Sequence, residues 1–226
     1  MTILVPIDPT EPSRAAVWLA GLLADRGDHE LLLLHAASPR PSLDTLAALH
    51  RIAEPLRREG LRVRLRTVDA RPEEAIPREA EARGCAWVVM GTRGTASAGD
   101  SLAMKVMARS SVRVAAVRPG RHGPLRPGRV GWVAARRATS CRIAEMLAAV
   151  RNTAAVQLQP DLQLSPPVRL SDGPPVNGEL ASVVVDYAPD CANAGWCRRM
   201  LTEAESHVIL VGSERCGCEA DLSESV

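Results

Sequence analysis

The stretch Cys85 to Gly94, CAWVVMGTRG, carries the pattern with the clearest chemical meaning: an apolar run, Ala86 to Met90, leading into a Gly-x2-Gly turn at Gly91 and Gly94. A continuous apolar run bounded by glycines suits a central parallel strand covered on both faces. In open α/β sheets ligands lie outside the carboxyl ends of such strands, and glycines there let backbone N–H groups approach phosphate oxygens. The chemistry implied is recognition of a phosphorylated small molecule at Met90 to Gly94. No nucleophile with its base and no metal-ligating cluster of comparable strength accompanies the turn, so no catalytic residue and no metal ligand is assigned.

The other reactive side chains read as structural. Cys191, Cys197, Cys216 and Cys218 lack the paired Cys-x2-Cys spacing of a zinc site and read as scattered thiols. His35 stands at a strand end, where a local hydrogen bond is a simpler role than that of ligand or base. Thr10 and Ser13 belong to a helix start. Arg62, Arg64 and Arg66 alternate with Leu61, Val63 and Leu65. That alternation makes a half-exposed edge strand whose arginines discourage sheet-to-sheet aggregation.

The elements that position the turn follow from periodicity. Thr2 to Ile7 is a β-branched strand ending at Asp8, and Ser13 to Ala24 has helical spacing at Val17, Leu19, Leu22 and Leu23. Leu31 to Leu34 is a second buried strand. Ser42 to Glu59 places Leu43, Leu46, Leu49, Ile52 and Leu56 on one helical face. After the arginine-lined strand, Arg71 to Arg83 is a third helix in which Pro72 suits the first turn and Pro77 is expected to bend the helix or delay its start. The central strand follows, then a helix near Ser101 to Arg109 and a final strand, Val112 to Val117. This βαβαβαβαβ order predicts a parallel, doubly wound sheet with right-handed crossovers.

Composition bounds the function. At 226 residues the chain can bury a sizeable core, and with four Trp, one Tyr and no Phe that core must be Ala, Val and Leu. A net charge of +2, a single lysine at Lys105 and few stacking aromatics argue against nucleic acid. No apolar run reaches the ~20 residues of a membrane span, and Met1 leads directly into a strand, so a cytoplasmic protein without membrane insertion is expected.

With these elements in place, ILVPID, LLLLHA, VVMGTRG and VRVAAVRPG together resemble the universal stress protein family over about residues 1 to 120. The resemblance implies a five-stranded sheet of order 3-2-1-4-5 and, as in the family's nucleotide-binding members, an ATP or AMP site with a Gly-x2-Gly-x9-Gly-Ser/Thr signature. It matches Pro6 and Asp8 to positions contacting the nucleoside, Ala36 to a position beside the adenine, and Met90, Gly91, Arg93 and Gly94 to the turn under ribose and phosphates. The second half of the signature departs from the family. Nine residues after Gly94 stand Met104 and Lys105; a shortened loop instead gives Ser101 the hydroxyl position and puts Asp100 where the family has glycine. A carboxylate a few ångströms from a phosphate costs about 1 to 4 kcal/mol, so triphosphate binding is expected to be weakened, with Arg93 or Lys105 offsetting part of the charge.

Residues 119–128, rich in Pro, Gly and Arg, read as a linker after a first domain at 1–118. The pattern then restarts with a strand at Val130 to Ala134, a helix at Ser140 to Val150 and a strand at Ala154 to Leu158. A proline-rich segment from Pro160 to Gly178 is unsuited to a helix. Residues 182–212 share the layout of 64–91, pairing Val68-Asp69 with Val185-Asp186 and Gly91 with Gly212. Residues 129–218 therefore read as a smaller, degenerate second α/β repeat, lacking its fourth helix and fifth strand and followed by a polar tail, 219–226. Its first strand runs into Ala134, Ala135 and Arg136, without a carboxylate, so its nucleotide site is expected to be lost. Only the first repeat then owns a fifth strand, and its open edge is expected to pair across a homodimer axis.

Two functions remain. The first reading is a non-enzymatic regulatory module with compromised ATP or AMP binding that acts in the stress response through protein interaction. The alternative is a working adenine-nucleotide sensor. An adenylating enzyme is disfavoured, since neither Ser-Gly-Gly-x-Asp-Ser nor His-x-Gly-His is present.

Overall fold

The computed structural model describes residues 1–27, 29–37, 41–93, 101–119, 129–133, 139–150, 155–160, 168–170, 180–187 and 207–212. The first half contains β1 (Thr2–Pro6), α1 (Glu11–Gly27), β2 (Glu30–Ala36), α2 (Leu43–Arg58), β3 (Val63–Val68), α3 (Pro72–Ala82), β4 (Cys85–Gly91), α4 (Leu102–Arg109) and β5 (Arg113–Arg118). The second half contributes β6 (Arg129–Val133), α5 (Thr139–Val150), β7 (Ala155–Pro160), β8 (Val168–Leu170), β9 (Leu180–Tyr187) and β10 (His207–Gly212). The strands form one sheet of order β3-β2-β1-β4-β5-β10-β9-β6-β7-β8. Its first five strands are parallel and have the expected 3-2-1-4-5 order.

The apolar runs behave as strands covered on both faces must. Leu32, Leu34, Val88 and Met90 point to the layer of α3 and α4, packing with Ile76, Ala80, Met104 and Val106. Leu31, Leu33 and Val89 point the other way, to α1 and α2, where Ala16, Leu19, Leu49 and Ala53 are fully buried. Without phenylalanine, small side chains allow the helices to sit close to the sheet. β3 is the outer strand of the first half, and Arg62, Arg64 and Arg66 are exposed along it, as their alternation requires. Glu30 binds Arg64, and Glu79 binds Arg66 at 2.9 Å.

Two local expectations are corrected. α3 begins at Pro72 and includes a buried Pro77, so Pro77 does not delay its start: a proline at the sixth residue forfeits a single intrahelical bond and fills core space in return. Leu43, expected on the apolar face of α2, is 83% exposed: it is the first helical residue after the Ser42 cap.

The larger correction concerns the edge of β5. Instead of lying open for a second copy of the chain, it is filled by β10, which pairs with it antiparallel from Val208↔Arg118 to Gly212↔Val114. Val208, Ile209, Leu210 and Val211 are all buried there. The predicted homodimer through Val112 to Val117 therefore has no free edge to use, and the fifth strand counted as missing exists. The shared layout of 182–212 and 64–91 misplaced it. In space β9 pairs parallel with β6 as β4 does with β1, and β10 lies beside β9 as β5 lies beside β4. Among the described residues of the second half, β8 pairs antiparallel with the outer side of β7, where the first half has the parallel β3. Gly94, Asp100, the residues 120–128 of the expected linker, Ala134 to Arg136 and the four distal cysteines lie outside the described residues. No described helix is long and apolar enough to cross a membrane.

Candidate functional site

The carboxyl ends of β1, β2 and β4 open onto one cavity of about 400 Å³, lined by Pro6 and Ile7, by Leu34, His35 and Ala36, and by Met90 and Gly91. The N-terminal turns of α1, α3 and α4 close its sides with Thr10, Pro12, Ser13, Pro72, Ile76, Leu102 and Ala103. From the neighbours β1 and β4 the chain winds outward in opposite directions, so the cavity occupies the switch point where an open α/β sheet forms a crevice.

Asp8 directs the chain from β1 into α1. Its Oδ1 accepts the Thr10 N–H at 3.2 Å, the Thr10 hydroxyl, and the Ser13 hydroxyl at 2.5 Å, while the Asp8 N–H donates to Ser13 Oγ at 3.0 Å. This Asx turn is a local device for starting a helix. Burial pushes the Asp8 carboxyl up, but the hydrogen bonds from Ser13 and Thr10, with the Arg93 guanidinium, outweigh it and hold the group below the ordinary aspartate value. Asp8 is thus an anion that can accept from a ligand hydroxyl, not an acid that donates.

His35 is 8% exposed, with Nδ1 2.8 Å from the Ile7 carbonyl. A carbonyl only accepts, so Nδ1 carries a proton and donates it. His35 makes the local bond expected of it.

Gly91 has a packing role in addition to lining the cavity. A Cβ built there would overlap the backbone carbon and oxygen of Pro12 and come within 2.7 Å of Pro12 Cβ. Glycine at 91 therefore lets the first turn of α1 seat against the end of β4. This is helix–strand packing that shapes the cavity wall, whatever lies inside it. Thr92 N–H then donates to the Val117 carbonyl at 2.9 Å, extending the β4 connection to β5.

Ser101 is the N-cap of α4, its hydroxyl accepting the Met104 N–H at 3.3 Å. The N–H groups of Leu102 and Ala103 have no partner within a helix of this register, so α4 offers the cavity the positive end of its dipole. Arg93 is the only arginine or lysine among the described lining residues, whereas Lys105 is exposed on α4 and does not reach the cavity.

Of the eight candidate binding residues, Pro6, Asp8, Ala36, Met90, Gly91, Arg93 and Ser101 line this one cavity, and Gly94 lies outside the described residues. Sequence reasoning missed Thr92, Pro72, Ile76 and Leu102, and gave Thr10 and Ser13 only a helix-start role. The signal for α3 was in the topology: in a βαβ unit each helix starts at the edge where its strand ends. Among the described residues no group of His, Cys, Asp and Glu could hold a metal ion.

The fold has clear relatives. A putative universal stress protein from Pseudomonas aeruginosa UCBPP-PA14 is 16% identical, the match covering 92% of this chain and 92% of that one with a TM-score of 0.59. A functionally unknown protein from Pseudomonas aeruginosa PAO1 is 17% identical, with 92% and 91% covered and a TM-score of 0.58. A universal stress protein from Archaeoglobus fulgidus DSM 4304 is 12% identical, with 92% and 95% covered and a TM-score of 0.56. At these identities the likeness is one of fold, and it takes in both halves of the sheet. No curated protein matches the chain. Residues 1–118, which include every described residue lining the cavity, match the Universal stress protein family, and the chain belongs to that family.

Proposed function

We propose that the chain is a cytoplasmic, non-enzymatic regulatory module that binds an adenine nucleotide weakly, a monophosphate in preference to a triphosphate, and acts through protein interaction. The observation that carries this reading is the switch-point cavity, in which an ionised Asp8, Arg93 and the N-terminus of α4 surround one space. Pro6, Asp8 and Ala36 hold the nucleoside; Met90, Gly91, Arg93 and Gly94 pass under the ribose and phosphate; Ser101 fixes the helix end that faces the anion. Asp100, adjacent in sequence to that helix cap, opposes the added charge of a triphosphate. Asp8 and His35 are both tied into the fold by hydrogen bonds, which favours binding over proton transfer.

Residues 129–218 form, in this reading, a degenerate second repeat. Support comes from the neighbour relations of β6, β9 and β10, which repeat those of β1, β4 and β5, and from the antiparallel meeting of β5 with β10 at the centre of the sheet. The second half then supplies surface for a protein partner.

The test is calorimetric titration with AMP and ATP, with and without Mg²⁺. AMP is expected to bind more tightly than ATP, Arg93→Gln to weaken both, and Asp100→Gly to narrow the gap. ATP binding tighter than AMP in the unaltered chain would favour the alternative, a working nucleotide sensor. Silence with both ligands, in the unaltered chain and in Asp100→Gly, would remove the nucleotide from the function.

A further inference from the structure

A second concavity, of about 810 Å³, lies between α1 and α2, on the layer opposite α3 and α4. Its floor is apolar. Trp18 and Leu22 of α1, Ile52 of α2 and Leu61 beyond it are only half-buried, although each packs against the core below. A closely seated helix pair would cover such side chains. Here the helices approach at Gly21, whose missing side chain admits Leu56 Cδ2 to 3.2 Å from the position a Cβ would take. Two helical turns toward the N-termini of the two helices, Arg14 and Ala48 line the same concavity.

The rim carries two cationic side chains. Arg14 on α1 and Arg51 on α2 both line the groove, both are exposed, and neither guanidinium has an anionic partner among the described residues. Arg58 and Arg66, by contrast, are paired with Glu54 and Glu79. Glu59, the one carboxylate among the described lining residues, lies two helical turns past Arg51. The eight residues from Arg14 to Gly21 span about 10 Å of α1 along the apolar floor. An apolar concavity with two cationic side chains on its rim, and its carboxylate set apart from Arg51, suits a small ligand with a single anionic head.

We propose that the α1–α2 groove is a binding site for a small amphipathic carboxylate, its apolar chain laid on Trp18, Leu22, Ile52 and Leu61 and its head held between Arg14 and Arg51. The volume lies within the range of small-molecule sites, and a carboxylate shared by two guanidiniums forms charge-assisted hydrogen bonds. The site is separate from the switch-point cavity and does not rest on nucleotide binding.

The test uses the full chain and the probes decanoate and decanol, below the concentration at which decanoate self-associates, with binding followed by calorimetry and by tryptophan fluorescence. Saturable decanoate binding with a stoichiometry of one is expected, with decanol weaker. The Arg14→Gln/Arg51→Gln double variant, altered only at exposed positions, is expected to bind decanoate about tenfold or more weakly and decanol unchanged. Arg93→Gln, in the other cavity, should leave decanoate affinity as it was. Absence of saturable decanoate binding, decanoate binding indifferent to loss of both arginines, or binding abolished by Arg93→Gln would each overturn the proposal.

Discussion

Gly91→Ala is the substitution through which the geometry at the end of β4 is most directly tested. The added Cβ meets the backbone of Pro12, and its separation from Pro12 Cβ would be 2.7 Å, where ordinary contacts begin near 3.4 Å. A flexible side-chain tip could swing away at little cost, but Pro12 lies in the first turn of a helix anchored by Ala15, Ala16, Leu19 and Ala20, all buried. Either α1 shifts or β4 bends. Overpacking of this kind costs about 3 kcal/mol, the upper end of the usual range, because backbone has to move. For a chain of this length that corresponds to a fall in Tm of about 6–12 °C. Gly60→Ala and Gly84→Ala are the controls. Both glycines have positive φ, 85° and 55°, with nothing within 4 Å of a built Cβ, so only the left-handed backbone is strained and the cost is about 1–2 kcal/mol. Urea denaturation of the three variants is the assay, and the expected order puts Gly91→Ala as the most destabilised. If Gly91→Ala unfolds with the unaltered chain, or after both controls, the packing account of this glycine is wrong.

Acid should weaken the fold through two carboxylates. Glu79 is pushed up by burial, but hydrogen bonds and attraction from Arg83 and Arg66 outweigh this and hold it below its ordinary 4.5, as Asp8 is held below 3.8. A depressed folded pKa contributes stability that is present above the unfolded value and lost as pH falls through the folded one. Denaturation midpoints should therefore decline below about pH 4.5, and Glu79→Gln should be less stable at neutral pH with a shallower decline; an unchanged slope would count against the assignment. At the centre of the sheet, Ile209→Pro removes a ladder hydrogen bond from β10. It should free the edge of β5 and bring concentration-dependent association in light scattering, while the unaltered chain shows no association through β5. Cross-links between β5 strands of two unaltered chains would refute the internal pairing. Leu210→Ala, which empties a fully buried position of that strand, should cost about 2–5 kcal/mol by urea denaturation without changing the m-value.

Much of this molecule was legible before any coordinates. The runs ILV, LLLL, WVVM and VAAV had to be buried strands, because apolar residues in succession can be covered only from both faces, and their alternation with helical periods required a parallel sheet. Arg62, Arg64 and Arg66 pointed to β3 as an edge, since a strand covered on both faces cannot carry a row of guanidiniums. Met90 to Gly94 were expected to form a site because ligands lie outside the carboxyl ends of parallel strands, and the resemblance to the family added Asp8 and Ala36; Asp8, Ala36, Met90 and Arg93 do line one cavity. Three things were settled only in space. Gly91 is a glycine because Pro12 approaches it, a contact between residues nearly eighty positions apart that local sequence does not encode. The hydroxyl of Ser101 caps α4, and that choice depends on where the helix starts. The partner of β5 depended on which strand lay beside β6, and a strand's apolar pattern states that it will be buried without naming its neighbours. Periodicity reports the faces of an element; pairing and close approach are properties of two elements at once, and tertiary structure decides them.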